Sequence, residues 1–162
     1  MLLAIRSTGR RKVLIPETVH PEYRTVVATY LSCIDAQIVN IPMQEGVLNF
    51  DLLKKELNDE VAAVVVQHPN FLGILEDPKS LSEATHKVGA LLISCVNPIS
   101  LGVLEPPGAY GADIAVGEGQ PLGNPVSYGG PHFGFFTVQA DLLRKIPGRI
   151  AGMTVDKVGR RS

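Results

Sequence analysis

Two short apolar runs decide the fold, AAVVVQ at Ala62–Gln67 and ALLISCV at Ala90–Val96. Neither run alternates between apolar and polar residues, which is typical of strands that are buried on both faces. Such strands belong to parallel sheets, because helical crossovers then cover both faces of the sheet. The sequence therefore predicts a three-layer α/β sandwich with a mostly parallel sheet.

Helices are predicted between these strands from their start and stop signals. One opens at Pro21, a second is capped by Asn49, and a third is capped by Asp77 and ends at Gly89. The first carries an apolar stripe at helical spacing, formed by Tyr23, Val26, Val27, Tyr30, Leu31 and Ile34. The remaining predicted elements are strands at Lys12–Ile15, Gln37–Ile41, Ala112–Val116 and His132–Val138, and a short helix around Asp141–Lys145.

Composition indicates one compact domain and excludes several classes of partner. The chain has 162 residues, of which 45% are hydrophobic and 19% charged, so a disordered chain is not expected. Its formal net charge of -1 creates no field that would attract nucleic acid or an anionic membrane. No apolar stretch approaches the roughly 20 residues that span a bilayer, and residues 1–5 are too short for a signal-peptide core.

Cysteine and histidine usage favours a cytoplasmic protein without a metal site. Cys33 and Cys95 each lie inside an apolar run, so we expect buried free thiols rather than a disulfide. His86 lies among charged residues on the third helix, where we expect it to be solvated. The four histidines lack the spacing of metal ligands, at His20, His68, His86 and His132.

Polar residues follow three of the predicted strands: His68, Asn70, Asn97, Glu118 and Gln120. Because ligands bind at the carboxyl ends of strands in open parallel sheets, these side chains could converge on one crevice. The alternative is that each one ends a strand and hydrogen-bonds to loop backbone. The sequence leaves both interpretations open, since a site has to be argued from geometry.

A glycine-rich run, GEGQPLG at Gly117–Gly123, follows one of the strands as a phosphate-binding loop would. Its third glycine comes four positions after the second, whereas the G-x-G-x-x-G fingerprint requires three. Asn124 and Pro125 then prevent the helix whose N-terminus would hold a pyrophosphate. A free-standing nucleotide-binding domain of the flavodoxin type is therefore disfavoured.

Several long strings of the sequence resemble the P-protein family of the glycine cleavage system, glycine dehydrogenase (decarboxylating), and within it the chains called subunit 1. Together they cover nearly the whole chain. They are KVLIPETVHPEYR at 12–24, VVVQHPNFLG at 64–73, PISLGVLEPPG at 98–108, GEGQPLGNPVSYGGPHFGFF at 117–136 and PGRI at 147–150.

The resemblance implies the large-domain part of the PLP-dependent transferase fold, which is aspartate aminotransferase-like and called fold type I. It also implies pyridoxal phosphate (PLP) as cofactor and glycine as substrate. In this family glycine is decarboxylated and its aminomethyl group passes to the lipoyl arm of the H-protein. Subunit 1 assembles with a subunit 2 into a heterotetramer.

This chain departs from the lysine-bearing members of fold type I. A Schiff-base lysine must emerge at a strand end into a desolvated pocket, and no lysine of this sequence qualifies. In fold type I the lysine follows the strand matched to Ile114–Val116, where this chain has Gly117–Pro121. Asn97 stands where a carboxylate usually pairs with the pyridinium nitrogen. The resemblance thus implies that subunit 2 holds PLP covalently, and that this chain has no catalytic residue.

The five strand-end residues would then line or support a cleft shared with subunit 2, and a catalytically inert interaction or scaffold module is the alternative. Because family members are longer, we expect residues 1–162 to be a single α/β domain, the central part of the large domain of subunit 1. The isolated chain should be inactive, and its exposed edges should favour self-association.

Overall fold

A six-stranded sheet forms the centre of the protein, and its strands lie in the order β2 (Gln37–Ile41), β1 (Lys12–Pro16), β5 (Val61–Gln67), β6 (Leu91–Cys95), β7 (Ile114–Glu118) and β8 (Gly134–Val138). The computed structural model describes residues 1–148 and 152–161, so Arg149 and Ile150 of the PGRI string lie outside the described residues. All neighbouring strands are parallel except β7 and β8, which are antiparallel. A separate hairpin is formed by β3 (Met43–Gln44) and β4 (Val47–Leu48).

The predicted helix starts are confirmed by their capping bonds. The Asn49 side chain accepts a hydrogen bond from the Leu52 N–H, and the Asp77 side chain accepts one from the Ser80 N–H. Such bonds satisfy N–H groups that a helix cannot pair internally. The helices are α1 (Leu2–Thr8), α2 (Pro21–Leu31), α3 (Phe50–Glu56) and α4 (Pro78–Lys87), and three 3-10 helices are η1 (Pro98–Gly102), η2 (Gln120–Leu122) and η3 (Ala140–Lys145).

Two hydrophobic cores lie on opposite faces of the sheet. Successive strand residues point to opposite faces, so Val13 and Val65 belong to one core while Leu14 and Val64 belong to the other. Helices α1 and α2 and η3 contribute to the first core, whereas α3 and α4 contribute to the second. Residues 61–66 of β5 are buried throughout. The three-layer α/β sandwich with a mostly parallel sheet is thus confirmed.

The apolar stripe predicted on α2 differs from the observed helix in length and in burial. The helix ends at Leu31, which is its buried residue, and Ile34 lies in the turn that follows. Tyr23, Val26 and Tyr30 are 43%, 52% and 66% exposed. Tyr23 and Val26 line an open cavity over the sheet, whereas Tyr30 is not among the residues that line it. Helix α1 and the β3–β4 hairpin were not predicted, because they are too short to give a periodic signal in the sequence.

The prediction that both cysteines are buried is wrong for Cys33. Cys33 is exposed because it lies in the turn after α2, whereas Cys95 is buried at the end of β6. Burial raises the pKa of the Cys95 thiol to about 12, since the thiolate would lose its solvation there.

We expect one fast-reacting thiol in the native protein. Exposed Cys33 should react with a disulfide reagent within the mixing time, while Cys95 should react after denaturation, because its thiolate is disfavoured by burial. The replacement Cys33→Ser should remove the fast phase. Thiol titration under native and denaturing conditions measures both, and two fast thiols in the native protein would contradict the assignment.

Within the described parts of the chain, every helix is either too short or too polar to cross a lipid bilayer.

Candidate functional site

An open cavity of about 600 Å³ lies between α2 and the first face of the sheet, at the carboxyl ends of the parallel strands. Apolar side chains of the sheet form its floor, including Val65 and Ile93, and Tyr23 and Val26 of α2 form one wall. Three polar residues at or just beyond strand ends line it as well, namely Gln67, Asn97 and Glu118. The cavity lies where ligands bind in open α/β sheets.

Of the five predicted site residues, Asn97 and Glu118 line this cavity. Asn97 is exposed, and its Oδ1 accepts a hydrogen bond from the Ile99 N–H at 3.0 Å, which caps η1. Gln120 is not among the lining residues; its Nε2 donates to the carbonyl of Asn124 at 2.6 Å. Asn97 and Glu118 therefore reach the cavity from neighbouring strands, and Gln120 holds the loop behind them.

Glu118 fastens both ends of the loop that joins β7 to β8. Its Oε1 accepts hydrogen bonds from the Gln120 N–H at 2.9 Å and the Phe133 N–H at 3.0 Å. The first of these bonds is the main cause that lowers the pKa of Glu118, and His132, 3.8 Å from the carboxylate, adds a smaller effect. The carboxylate thus has a structural role at the rim of the cavity.

Replacing Glu118 by Ala should loosen the loop at residues 119–133, because two backbone N–H groups lose their acceptor. Folding lowers the pKa of Glu118. The stabilisation of the loop by the Glu118 carboxylate is therefore present above the ordinary glutamate pKa, and it is lost as pH falls through the lowered pKa. The amide resonances of Gln120 and Phe133 should shift over that acidic range in the wild type. The same resonances should not titrate in Glu118→Gln, and their titration in that variant would contradict the assignment.

His68 and Asn70 do not line the cavity; they meet in a separate buried cluster around Glu76. The Asn70 Nδ2 donates to Glu76 Oε1 at 2.9 Å, and the His68 Nδ1 accepts from the Glu76 N–H at 3.2 Å. The Glu76 carboxylate also accepts from the Leu48 N–H of the β3–β4 hairpin, at 3.1 Å and 3.2 Å. Burial lowers the pKa of His68, which favours its neutral form.

Convergence on one crevice was one of the two interpretations left open, and the five residues do not all converge: four of them form two groups, and Gln120 belongs to neither. Asn97 and Glu118 face the cavity, while His68 and Asn70 tie the segment after β5 to the hairpin. Glu76 belongs to the buried cluster. Its burial could not be predicted from the sequence, because an acidic residue beside a helix cap is usually solvated.

His86 is exposed, as predicted from its charged neighbours, but its ring also makes hydrogen bonds that the sequence did not predict. Its Nε2 lies 2.8 Å from the Asp113 Oδ2, and its Nδ1 lies 3.4 Å from the Ser82 Oγ. Asp113 also accepts a hydrogen bond from the Leu92 N–H at 2.7 Å. The His86 side chain remains 41% exposed. Asp113, in the segment before β7, thereby connects His86 of α4 with Leu92 of β6.

None of the lysines in the described part of the chain lines the cavity. Lys12 is buried, but it lies at the beginning of β1 and pairs with Glu56 at 2.8 Å. The loop at residues 119–133 contains no lysine, and Asn97 at the cavity rim is neutral. The other lysines lie on α3, α4 and η3 and in the C-terminal segment, at Lys54, Lys55, Lys79, Lys87, Lys145 and Lys157.

Comparison with known proteins gives consistent matches over the whole chain. A family model described as glycine cleavage system P-protein matches residues 1–162. The chain is 49% identical over 160 residues to the probable glycine dehydrogenase (decarboxylating) subunit 1 of Desulfitobacterium hafniense, covering 99% of this chain and 36% of that protein. The protein of the same name from Desulforamulus reducens is 52% identical over 160 residues, with the same coverage.

A solved structure matches the fold equally well. It is the crystal structure of glycine decarboxylase (P-protein) of the glycine cleavage system in inhibitor-bound form, with 52% sequence identity and a TM-score of 0.92. The match covers 99% of this chain and 36% of that one, so the chain spans just over a third of the length of these relatives. The predicted architecture, the large-domain part of the PLP-dependent fold type I, is thereby confirmed. The chain belongs to the glycine cleavage system P-protein family.

Proposed function

We propose that this chain is the central part of a non-lysine-bearing subunit 1 of glycine dehydrogenase (decarboxylating). Such a subunit supports the PLP-dependent decarboxylation of glycine and the transfer of its aminomethyl group to the lipoyl arm of the H-protein. The observation that carries the proposal is identity near 50% along 99% of the chain with relatives named as that subunit. The described lysines lie away from the cavity, which supports the proposal that this subunit does not bear the Schiff-base lysine.

The proposal assigns the covalent link with PLP to subunit 2. A lysine that forms a Schiff base needs a partly desolvated position in the cleft, where its amine can be neutral. Lys12 is the buried lysine among the described residues, and its ammonium is held by the carboxylate and the carbonyl of Glu56 at the opposite edge of the sheet. Asn97 cannot supply the anion that a protonated pyridine nitrogen prefers.

The five strand-end residues then act as wall and support of a cleft shared with subunit 2. Asn97 and Glu118 form part of the wall, and Gln120 holds the adjoining loop. His68 and Asn70 support the segment after β5 from inside. The proposed assembly is a hetero-oligomer to which the H-protein binds. The two unpaired cysteines support a reducing, cytoplasmic location.

In the full subunit, we propose that segments outside residues 1–162 cover the part of the predicted α2 stripe that does not line the cavity, at Tyr30 and Ile34, and leave the mouth of the cavity open to subunit 2. The half-exposed stripe of α2 supports this, because exposed apolar patches on folded domains usually mark contacts. The matched relatives have nearly two thirds of their length outside the region aligned with this chain. The isolated 162-residue chain should be inactive and should self-associate through the same surface.

Reconstitution tests the function. The full-length subunit, subunit 2 and the H-protein are mixed, and the exchange of labelled bicarbonate into the carboxyl group of glycine is followed. Each subunit alone should exchange at the background rate, and the mixture should exchange well above it. Exchange at the full rate by subunit 2 without this subunit would contradict the shared cleft.

Borohydride reduction tests the assignment of the cofactor. Reduction of the complex with bound PLP should attach the cofactor to a lysine of subunit 2, which peptide mass spectrometry identifies. This subunit alone should show no imine absorption band after dialysis. Specific labelling of any lysine of this chain would overturn the assignment.

The alternative function is an inert interaction or scaffold module. It is favoured by one observation: each of the five strand-end side chains already has a local structural hydrogen bond. Replacing Asn97 by Ala separates the two functions, because this exposed side chain lines the cavity and makes one hydrogen bond, the cap to the Ile99 N–H. A fall in exchange rate with an intact complex supports the shared cleft, and an unchanged rate supports the scaffold.

A further inference from the structure

A buried histidine fixes the position of the segment that follows β5. His68 is 8% exposed, and its Nδ1 accepts a hydrogen bond from the Glu76 N–H at 3.2 Å. An imidazole nitrogen that accepts a hydrogen bond carries no proton, so the ring is neutral and its proton lies on Nε2. The closure of the segment at residues 68–76 therefore depends on the neutral form of this ring.

The Glu76 side chain extends the link from His68 to the β3–β4 hairpin. The buried carboxylate accepts hydrogen bonds from the Leu48 N–H, at 3.1 Å and 3.2 Å, and from the Asn70 Nδ2 at 2.9 Å. The same Nδ2 group donates to the Gly46 carbonyl in the hairpin turn at 2.8 Å. A two-stranded hairpin is only marginally stable in water by itself. The position of this hairpin therefore depends on the cluster that contains His68.

The surroundings of the His68 ring disfavour a positive charge. Glu76 is the charged group of the described chain that acts on the pKa of His68, and no carboxylate of that chain lies within 4.0 Å of a ring nitrogen. The Tyr110 ring packs edge-on at 6.3 Å between centroids, and burial raises the pKa of its hydroxyl, so this group is neutral. On β6, the Cys95 carbonyl accepts the His68 N–H at 3.0 Å, and the Cys95 thiol has a pKa of about 12. Burial outweighs the attraction of Glu76 and lowers the pKa of His68.

We propose that His68 is an acid-sensitive latch, which holds residues 68–76 against the β3–β4 hairpin while its ring is neutral and releases them when its Nδ1 binds a proton. The proton comes from solvent and takes the lone pair that accepts the Glu76 N–H, so this hydrogen bond is lost. Two buried N–H groups then face each other, and neither has an acceptor. The Glu76 backbone moves away, and its carboxylate no longer binds Leu48 and Asn70.

Opening of the latch affects the rim of the cavity through Phe71. The Phe71 N–H donates to the Thr18 carbonyl at 2.9 Å, and the Phe71 ring lies 4.7 Å from the His20 ring. His20 stacks on Tyr23 at 4.9 Å between ring centroids, and Tyr23 lines the cavity. Release of residues 68–76 therefore frees one side of the rim, while the central strands keep their hydrogen bonds. The inference does not depend on the proposed function, because every group of the latch lies within this chain.

Hydrogen exchange in the full-length subunit tests the latch. Exchange is followed by mass spectrometry in peptides covering residues 43–49 and 68–76, and the rates are corrected for the intrinsic effect of pH. The open segment binds a proton with the ordinary histidine pKa of 6.5, whereas the closed segment binds it more weakly. The stability of the closed segment is thus full above that pKa and is lost as pH falls from there to the lowered value. The open population should rise at least about threefold between about pH 7.5 and about pH 5.5. Peptides from β6 should show no such rise.

His68→Asn removes the titrating ring and keeps the acceptor. An asparagine Oδ1 can accept the Glu76 N–H in place of Nδ1, and it binds no proton in this range of pH. Exchange in the two peptides should be as slow as in wild type at neutral pH and should stay slow in acid. The matched control is His86→Asn, because the His86 side chain is 41% exposed. This control should keep the response of the wild type.

Nitrogen NMR of the histidine rings gives a measurement that does not require a variant to fold. His68 should show the Nε2–H tautomer at neutral pH, and its protonation should follow the same pH course as the rise in exchange. A proton on Nδ1 at neutral pH would overturn the inference. Unchanged exchange between pH 7.5 and pH 5.5 would also overturn it, since the segment then stays closed. A rise that persists in folded His68→Asn would assign the response to another group, such as Glu76, and would equally contradict the latch.

Discussion

Replacing Asn70 by Asp should destabilise the protein by about 3 kcal/mol at neutral pH, although the two side chains have almost the same shape. The Nδ2 group donates to the Gly46 carbonyl at 2.8 Å and to Glu76 Oε1 at 2.9 Å. In the variant a carboxylate oxygen would face these two acceptors, and one of them is itself a carboxylate. The group lies in a buried cluster, where repulsion between like charges is weakly screened.

The loss should depend on pH in a defined direction. At acidic pH the introduced carboxyl group binds a proton and can donate a hydrogen bond to Glu76, so the deficit should shrink as pH falls. Urea unfolding of wild type and variant over a series of pH values measures the difference in the free energy of unfolding. A deficit that is the same at every pH would contradict the carboxylate pairing.

Asn97→Asp is the matched control, since Asn97 also follows a buried strand. Its Oδ1 caps η1 from an exposed position, and aspartate is an equally good capping residue. We expect a change below about 0.5 kcal/mol. A comparable loss in both variants would show that the burial of Asn70 is not the cause.

Replacing Gly117 by Ala should cost about 3 kcal/mol, because a Cβ at this position has no space. It would overlap the Phe135 ring of β8 and the carbonyl oxygen of Val96. The Val96 backbone cannot easily move, since its N–H donates to the Val116 carbonyl at 2.9 Å. The free energy of unfolding, measured by urea denaturation, should fall accordingly, and a loss below about 1 kcal/mol would contradict the close packing.

Two further variants show whether the cause is steric. Gly102→Ala should be nearly neutral, because a Cβ there meets no atom within 4 Å. Adding Phe135→Leu to Gly117→Ala should recover part of the lost stability, since it removes one of the two overlaps and leaves the Val96 carbonyl in place. Full recovery by the double variant would show that the backbone contact is unimportant.

Much of the fold could be predicted because its signals are local. The strand at Gln37–Ile41 has the predicted bounds, and β5 differs from the prediction by one residue at its start. Asn49 and Asp77 cap the helices that they were expected to cap. A strand buried on both faces has few polar residues, and a capping residue acts within three positions of itself, so both are visible in a short window of sequence.

The surroundings of single side chains could not be predicted in the same way. Cys33 was expected to be buried and is exposed, because α2 ends two residues before it. His86 is exposed as expected, but its ring also lies 2.8 Å from the Asp113 carboxylate, 27 positions away in the sequence. Neither contact nor exposure follows from neighbouring residues alone.

The sequence by itself determined the three-layer architecture, the positions of most strands and helices, and the polar residues that follow the strands. Tertiary structure alone decided that Asn97 and Glu118 face the cavity while His68 and Asn70 join Glu76 beneath an exposed apolar loop. The physical reason is that side-chain direction at a strand end changes face with each residue, and the partners of a turned-in group come from distant segments. Glu76, for example, accepts a hydrogen bond from the Leu48 N–H of the β3–β4 hairpin, and no local sequence pattern predicts that bond.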